Sequence, residues 1–261
     1  MSDTSLFGTR HIIYIVLSIA LIVVLYLLAR KISLRLASKA LLAVGIVSEI
    51  IKVFYYITAN EETHGGVLPK TDLPFHLCSV QIILILIINI SKSERLNRMI
   101  FSFMMPSCLF GGIAAILIAT ESARSSAIIA IQYFLYHIAI TVFALKLLTE
   151  KGMKWRVKDM LDCFKILLVM MFFAIYINSI VFDIETATKV NFMYVVSPPQ
   201  DGLPFLTEKY GWLVYIVHYA FLVVFCVSLC YIKAIIDTIK ERKQARLSEA
   251  TQECEPELIN K

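Results

Sequence analysis

The chain has 261 residues, 59% of them apolar, a formal net charge of +5 and a mean hydropathy of +0.76. Soluble domains hold roughly 45–50% apolar residues, so this composition excludes an ordinary globular fold and points to a polytopic membrane protein. The positive charge calls for no nucleic acid, because basic loops lying against anionic lipid account for it.

A helix needs roughly 20 apolar residues to cross about 30 Å of hydrocarbon. Seven stretches meet or approach that length: Ile12 to Ala29, Leu36 to Ile57, Phe75 to Ile90, Met99 to Ala119, Ser126 to Leu148, Phe164 to Phe182 and Trp212 to Ile236. The third is short. No basic region precedes the first and no small-residue cleavage site follows it, so it reads as a retained span and not a signal peptide. The predicted fold is therefore all-α, a seven-transmembrane-helix bundle over residues 1–240 followed by a charged, frayed cytoplasmic tail over 241–261.

Nineteen of the 25 Lys and Arg residues fall in the loops after spans one, three and five and in the tail, against five on the other side. The positive-inside rule then places the N-terminus outside and the C-terminus in the cytoplasm of a multi-pass protein of the cell membrane. Of the six cysteines only Cys78 lies near the predicted outer surface, so no outward-facing pair exists and no structural disulfide is expected. No ligand spacing for a metal occurs in the polar run from Asn60 to Gly66, and no metal or other cofactor is expected.

Span one is featureless apart from Tyr14 and Tyr26 near its ends. In span two Glu49 and Lys52 lie three residues apart on one helical face, with Tyr56 a turn further on. Charges within a span are costly and face the protein interior, where this pair is either a structural ion pair or part of a site. Pro74 opens span three, and His76 and Cys78 follow in its first turn, where free N–H groups and the helix dipole favour a thiolate. Residues two apart on a helix diverge by about 200°, so His76 is not the obvious partner of Cys78, whereas Cys78 and Gln81 share a face.

Pro106, Gly111 and Gly112 in span four suit a kink or close helix packing. Span five carries His137 roughly 16 Å below its outer end. Span six offers Asn178, and the loop Asn191-Phe192-Met193-Tyr194-Val195-Val196-Ser197-Pro198-Pro199 is apolar enough to be packed down. Span seven begins with Trp212 and Tyr215 and holds His218. Glu49, His76, Cys78, His137, Asn178 and His218 thus come from five spans but gather in one half of the membrane, which predicts one outward-opening polar cavity.

The run Leu73-Pro74-Phe75-His76-Leu77-Cys78-Ser79, Glu49, the Tyr136-His137 pair, Asn191-Phe192-Met193-Tyr194 with Pro198, and Trp212 to Tyr215 together resemble the YwaF family of heptahelical membrane proteins. The resemblance covers nearly the whole chain from span two onward. That family is similar to a eukaryotic membrane acyltransferase that moves fatty acyl chains between glycerophospholipids through a cysteine thioester. The resemblance implies that Cys78 is the matching cysteine and His137 the histidine working with it.

Two readings follow, one enzymatic and one not. In the first, the protein is a lipid acyltransferase or acyl hydrolase acting on membrane lipids. Cys78 is then the nucleophile, His137 or His76 the base and acid, and Asn178 an oxyanion donor, with Glu49, Gln81, Asn191, Tyr194 and His218 lining the substrate site. The span boundaries leave Cys78 and His137 roughly 10 Å apart in depth, a difficulty unless span three begins deeper. In the second, the same cavity serves a carrier, channel or heptahelical receptor.

Overall fold

A computed structural model describes residues 5–59, 66, 68–120, 123–124, 126–181, 190–199, 206–207 and 209–254. The polar run from Asn60 to Gly65 and the end of the tail from residue 255 lie outside them. The helices are α1 (Thr9–Ala29), α2 (Leu34–Phe54), α3 (Leu77–Ile90), α4 (Glu94–Leu117), α5 (Ala127–Thr149), α6 (Val157–Ile180), α7 (Trp212–Cys230) and α8 (Ile232–Cys254). No strand occurs among the described residues. Six helices, namely α1, α2 with its extension to Thr58, α4, α5, α6 and α7, are long and apolar enough to cross a membrane.

The seventh apolar helix, α3, has 14 residues and starts two residues later than the sequence suggested. At 1.5 Å per residue it is about 21 Å long, short of the hydrocarbon thickness. Its start is fixed locally: Leu73 and Pro74 hold extended and turn backbone after a 3₁₀ turn at Lys70–Asp72, and His76 takes the N-cap position with ψ 152°. The residue before a proline is pushed out of the helical region, so no helix can run back through Leu73.

The most buried spans are α4 and α5, and they pack on each other while the remaining helices gather round them. Gly112 permits that contact, since a Cβ there would overlap the Thr141 hydroxyl and lie 3.0 Å from the His137 carbonyl. Pro106 sits inside α4 and lacks the N–H that would bond the Ser102 carbonyl. The buried Tyr231 supplies the missing donor, its hydroxyl reaching Ser102 O at 2.9 Å and pinning the end of α7 to α4.

Other polar ties hold the ring. His11 Nε2 donates to Ile116 O at 3.0 Å, linking α1 to α4. Gln132 Nε2 donates to Ser48 Oγ at 2.5 Å, linking α5 to α2. At the end of the bundle away from Cys78, Arg98 holds Asp159 through two bonds of 2.7 Å, linking α4 to α6.

The frayed tail expected from residue 241 is instead helical through Cys254. Its Lys, Glu, Arg, Gln and Ala residues are strong helix formers, and the sequence reading gave their charge more weight than their propensity. Span seven likewise ends earlier than expected: α7 stops at Cys230, and Tyr231 leaves helical geometry with φ −101° and ψ 8° before α8 begins.

Candidate functional site

Glu49 and Lys52 form an ion pair on the inner side of α2, with Lys52 Nζ 3.0 Å from Glu49 Oε1 and 2.8 Å from Oε2. Their side chains are 26% and 12% exposed, which places both against protein and not lipid. Lys52 also donates to the Asp72 carbonyl at 3.0 Å. The charge pair therefore fastens α2 to the turn that feeds α3, and a π-helical turn at Tyr55–Ala59 follows directly.

Cys78 is the second residue of α3. His76 makes no side-chain cap, the first-turn N–H groups of Leu77 and Cys78 have no backbone acceptor among the described residues, and Ser79 directs its N–H and hydroxyl at the Cys78 sulfur. Helix starts of this kind favour negative charge. The thiol lies within electrostatic range of Lys52, Glu49 and Tyr136. It is a free cysteine, as are Cys108, Cys163, Cys226 and Cys230.

The Tyr136 hydroxyl donates to the Cys78 carbonyl at 2.7 Å. One tyrosine side chain therefore ties the turn of α5 that carries His137 to the backbone of the turn that carries Cys78. Cys78 and His137 are not themselves joined by a hydrogen bond. His137 is 3% exposed, and its Nδ1 lies 2.6 Å from the Tyr133 carbonyl. A carbonyl only accepts, so Nδ1 carries the proton and Nε2 is left as the basic nitrogen. The Tyr133 ring lies against the imidazole, tilted by 43°, with 4.2 Å between centroids.

In His76 the roles of the two ring nitrogens are reversed, which leaves Nδ1 as the basic one. Its Nε2 donates to Thr71 O at 3.1 Å, and its ring meets Phe192 at 5.1 Å and Tyr194 at 6.0 Å.

Phe192 and Tyr194 belong to a strap, residues 190–199, that lies over this end of α3. Five of its carbonyls, those of Phe192 to Val195 and of Ser197, are caught by side chains. Asn178 Nδ2 takes Phe192 O at 3.1 Å, Tyr219 takes Met193 O at 2.9 Å, Tyr215 takes Tyr194 O, and Trp212 Nε1 takes Val195 O at 2.9 Å. Asn191 closes the loop on itself, donating to Ser197 O at 2.8 Å and accepting from Val196 N at 3.1 Å. Met193 and Tyr194 hold positive φ of 57° and 53°, costly for residues with side chains and paid by these bolts.

Of the expected site residues, the structure gathers Cys78, His76, His137, Glu49, Gln81 and Tyr194 around the start of α3. It commits Asn178 and Asn191 to holding the strap, with both polar atoms of Asn178 used on Phe192. It does not bring His218 to the group: that residue is exposed, and the inward face of α7 is taken by Tyr215 and Tyr219. Sequence reasoning missed Tyr136 and Ser107 as site neighbours. Tyr136 could have been found as a tyrosine adjacent to a mid-span histidine, whereas nothing in the sequence singles out Ser107. No cluster of metal-ligating side chains occurs among the described residues.

The fold and this arrangement define a multi-pass membrane protein with a cysteine at the start of a short helix, α3, and a buried histidine within the span α5. A family model for the TMEM164 family matches residues 6–231, and the chain belongs to that family. Comparison with curated proteins and with solved structures gives no match.

Proposed function

We propose that this protein is a lipid acyltransferase or acyl hydrolase that works through a thioester on Cys78. The observation that supports the reading is the Tyr136–Cys78 bond, because it joins the turn of α5 that bears His137 to the backbone of Cys78. The resemblance to the YwaF family and its relation to a cysteine-dependent phospholipid acyltransferase support the same residues.

In the proposed reaction His137 Nε2 takes the thiol proton, and Sγ attacks the carbonyl carbon of a lipid ester. The oxyanion that forms is stabilised by the free N–H groups of the first turn of α3, which take the place expected of Asn178. The C–O bond breaks, the lipid alcohol leaves with the proton held by His137, and the acyl group remains on sulfur. A second lipid hydroxyl, or water, gives its proton to His137 and attacks the thioester, and the thiolate leaves. Lys52 and Glu49 set the position of the turn before α3 and act as positioning residues.

In this reading α3 counts as the seventh crossing, the strap faces outside the cell, and the C-terminus is cytoplasmic, as the distribution of Lys and Arg supports. The test is Cys78→Ser, a small change in volume that replaces the thiolate by a much weaker nucleophile. Membranes holding the unaltered protein should remodel phospholipid acyl chains and yield a hydroxylamine-sensitive acyl adduct on the protein, and the variant should do neither. Equal remodelling by the variant, with no adduct trapped on either, would leave a binding or transport role in its place.

A further inference from the structure

The side chain of Gln81 sits one turn into α3 on the same face as Cys78, three residues on, where Cβ atoms lie about 5–6 Å apart. It is 1% exposed. Its Nε2 donates to the Leu77 carbonyl at 3.1 Å and to Ser107 Oγ at 3.0 Å. Its Oε1 has no hydrogen-bond partner among the described residues. The orientation of the amide follows from its partners: the Leu77 carbonyl can only accept, so the nitrogen must face it and the oxygen must point away.

The near groups cannot satisfy that oxygen. The Ser107 hydroxyl spends its one proton on the Phe103 carbonyl at 2.7 Å, and the Tyr136 hydroxyl spends its own on Cys78 O. Lys52 is committed to Glu49 and Asp72. A buried carbonyl oxygen without a donor is costly, and native structures keep few of them without a reason. Two bonds fix this amide in place, so the oxygen is a rigid acceptor held ready near the thiol.

We infer that Gln81 Oε1 receives the hydroxyl of the molecule that accepts the acyl group. The inference rests on the thioester reading above and assigns to its second half a residue that the first half does not use. Whatever attacks the thioester must carry an O–H, whether a lysophospholipid alcohol or water. The acceptor oxygen of Gln81 holds that O–H as the molecule docks, and the hydroxyl then rotates its one proton from Oε1 to His137, which takes it as the new C–O bond forms and the C–S bond breaks. Gln81 is then a positioning residue for deacylation of the enzyme, with no part in its acylation.

The test separates the two half-reactions. Full-length protein in lipid nanodiscs is loaded with a fluorescent acyl phospholipid, and formation of the hydroxylamine-sensitive adduct is timed. Its decay is then followed with 1-palmitoyl-lysophosphatidylcholine and, in a separate arm, without it. Gln81→Met, similar in volume but unable to accept in this way, should release adduct roughly ten- to a hundredfold more slowly, with any change in its rate of formation much smaller. Slowing confined to the lysolipid arm assigns the site to the alcohol, and slowing in both arms assigns it to either hydroxyl source. Gln81→Glu keeps an acceptor oxygen and should restore part of the rate.

A native-protein measurement stands beside this in case Gln81→Met does not fold. The 2-deoxy counterpart of the lysolipid should compete at least about tenfold less well than the lysolipid itself, because it leaves Oε1 unpaired. Normal decay in Gln81→Met, loss of adduct formation in folded Gln81→Met, or equal competition by the deoxy analogue overturns the inference and leaves the thioester reading standing. Absence of adduct on the unaltered protein overturns both.

Discussion

Asn178 offers a clean separation between a group that holds a loop and a group that handles substrate. Its Oδ1 accepts from Phe192 N at 2.8 Å and its Nδ2 donates to Phe192 O at 3.1 Å, and Phe192 is fully buried. Asn178→Ala leaves one donor and one acceptor unpaired, each worth about 1–3 kcal/mol when buried, so the limits are about 2–6 kcal/mol. The remaining bolts from Tyr215, Tyr219 and Trp212 keep the strap seated, which puts the expected loss at the low end, about 2–3 kcal/mol. Hydrogen exchange at the Phe192 amide reads that loss locally as a rate increase of roughly 30- to 150-fold. Asn178→Asp keeps the acceptor for Phe192 N–H and should accelerate exchange less. Unchanged exchange in Asn178→Ala together with lost lipid turnover would refute the argument and return Asn178 to the chemistry.

Tyr136→Phe removes the link to Cys78 but leaves that carbonyl its own helical partner, so stability should fall by only about 0.5–1.5 kcal/mol in a denaturation series. Adduct formation on Cys78 should nevertheless slow by roughly ten- to a hundredfold, because misplacement by about 1 Å costs that much. An unchanged rate would mean that Tyr136 does not position the site. Glu49→Gln strips Lys52 of its counter-charge in a half-buried pair and should destabilise the protein by about 1–2 kcal/mol, below the 3–5 of a fully buried pair. Size-exclusion yield should drop while adduct formed per folded molecule holds steady, and the reverse pattern would make Glu49 a chemical group.

Hydropathy alone revealed the helical class, because a lipid-crossing backbone has so few options, and it located most of the spans. It could not reveal that α4 and α5 form the centre, since α1 is more apolar than either and yet is far less buried. The glycine at 112 hinted at close packing, as expected, without naming Thr141 and His137 as its neighbours. His11 passed unnoticed because an apolar stretch seemed to begin after it, although it is a buried link between α1 and α4.

Within the site, Cys78, His137 and Glu49 were legible as polar groups where lipid should be, and the strap was legible as an apolar loop. The assignment of Asn178 failed to anticipate that a backbone loop, with its own unmet hydrogen bonds, competes with substrate for a buried amide. The left-handed backbone at Met193 and Tyr194 has no glycine to announce it. Gln81 was marked by its face, but its unpaired oxygen depends on how Ser107 spends a proton, which only three-dimensional neighbours decide.

The shortness of α3 reaches beyond the protein. Ile83, Leu86 and Ile90 share an exposed face of this helix, so lipid tails lie along a wall about 21 Å tall inside a hydrocarbon layer of about 30 Å. Such hydrophobic mismatch is relieved by local thinning of the bilayer, at a fraction of a kcal/mol for each ångström. Thinning draws headgroups and their ester carbonyls inward toward the first turn of α3, the turn that bears Cys78. In the proposed reaction the thickness of the host bilayer then controls how often an ester meets the thiol, and the membrane's lipid composition becomes a variable of that reaction in its own right.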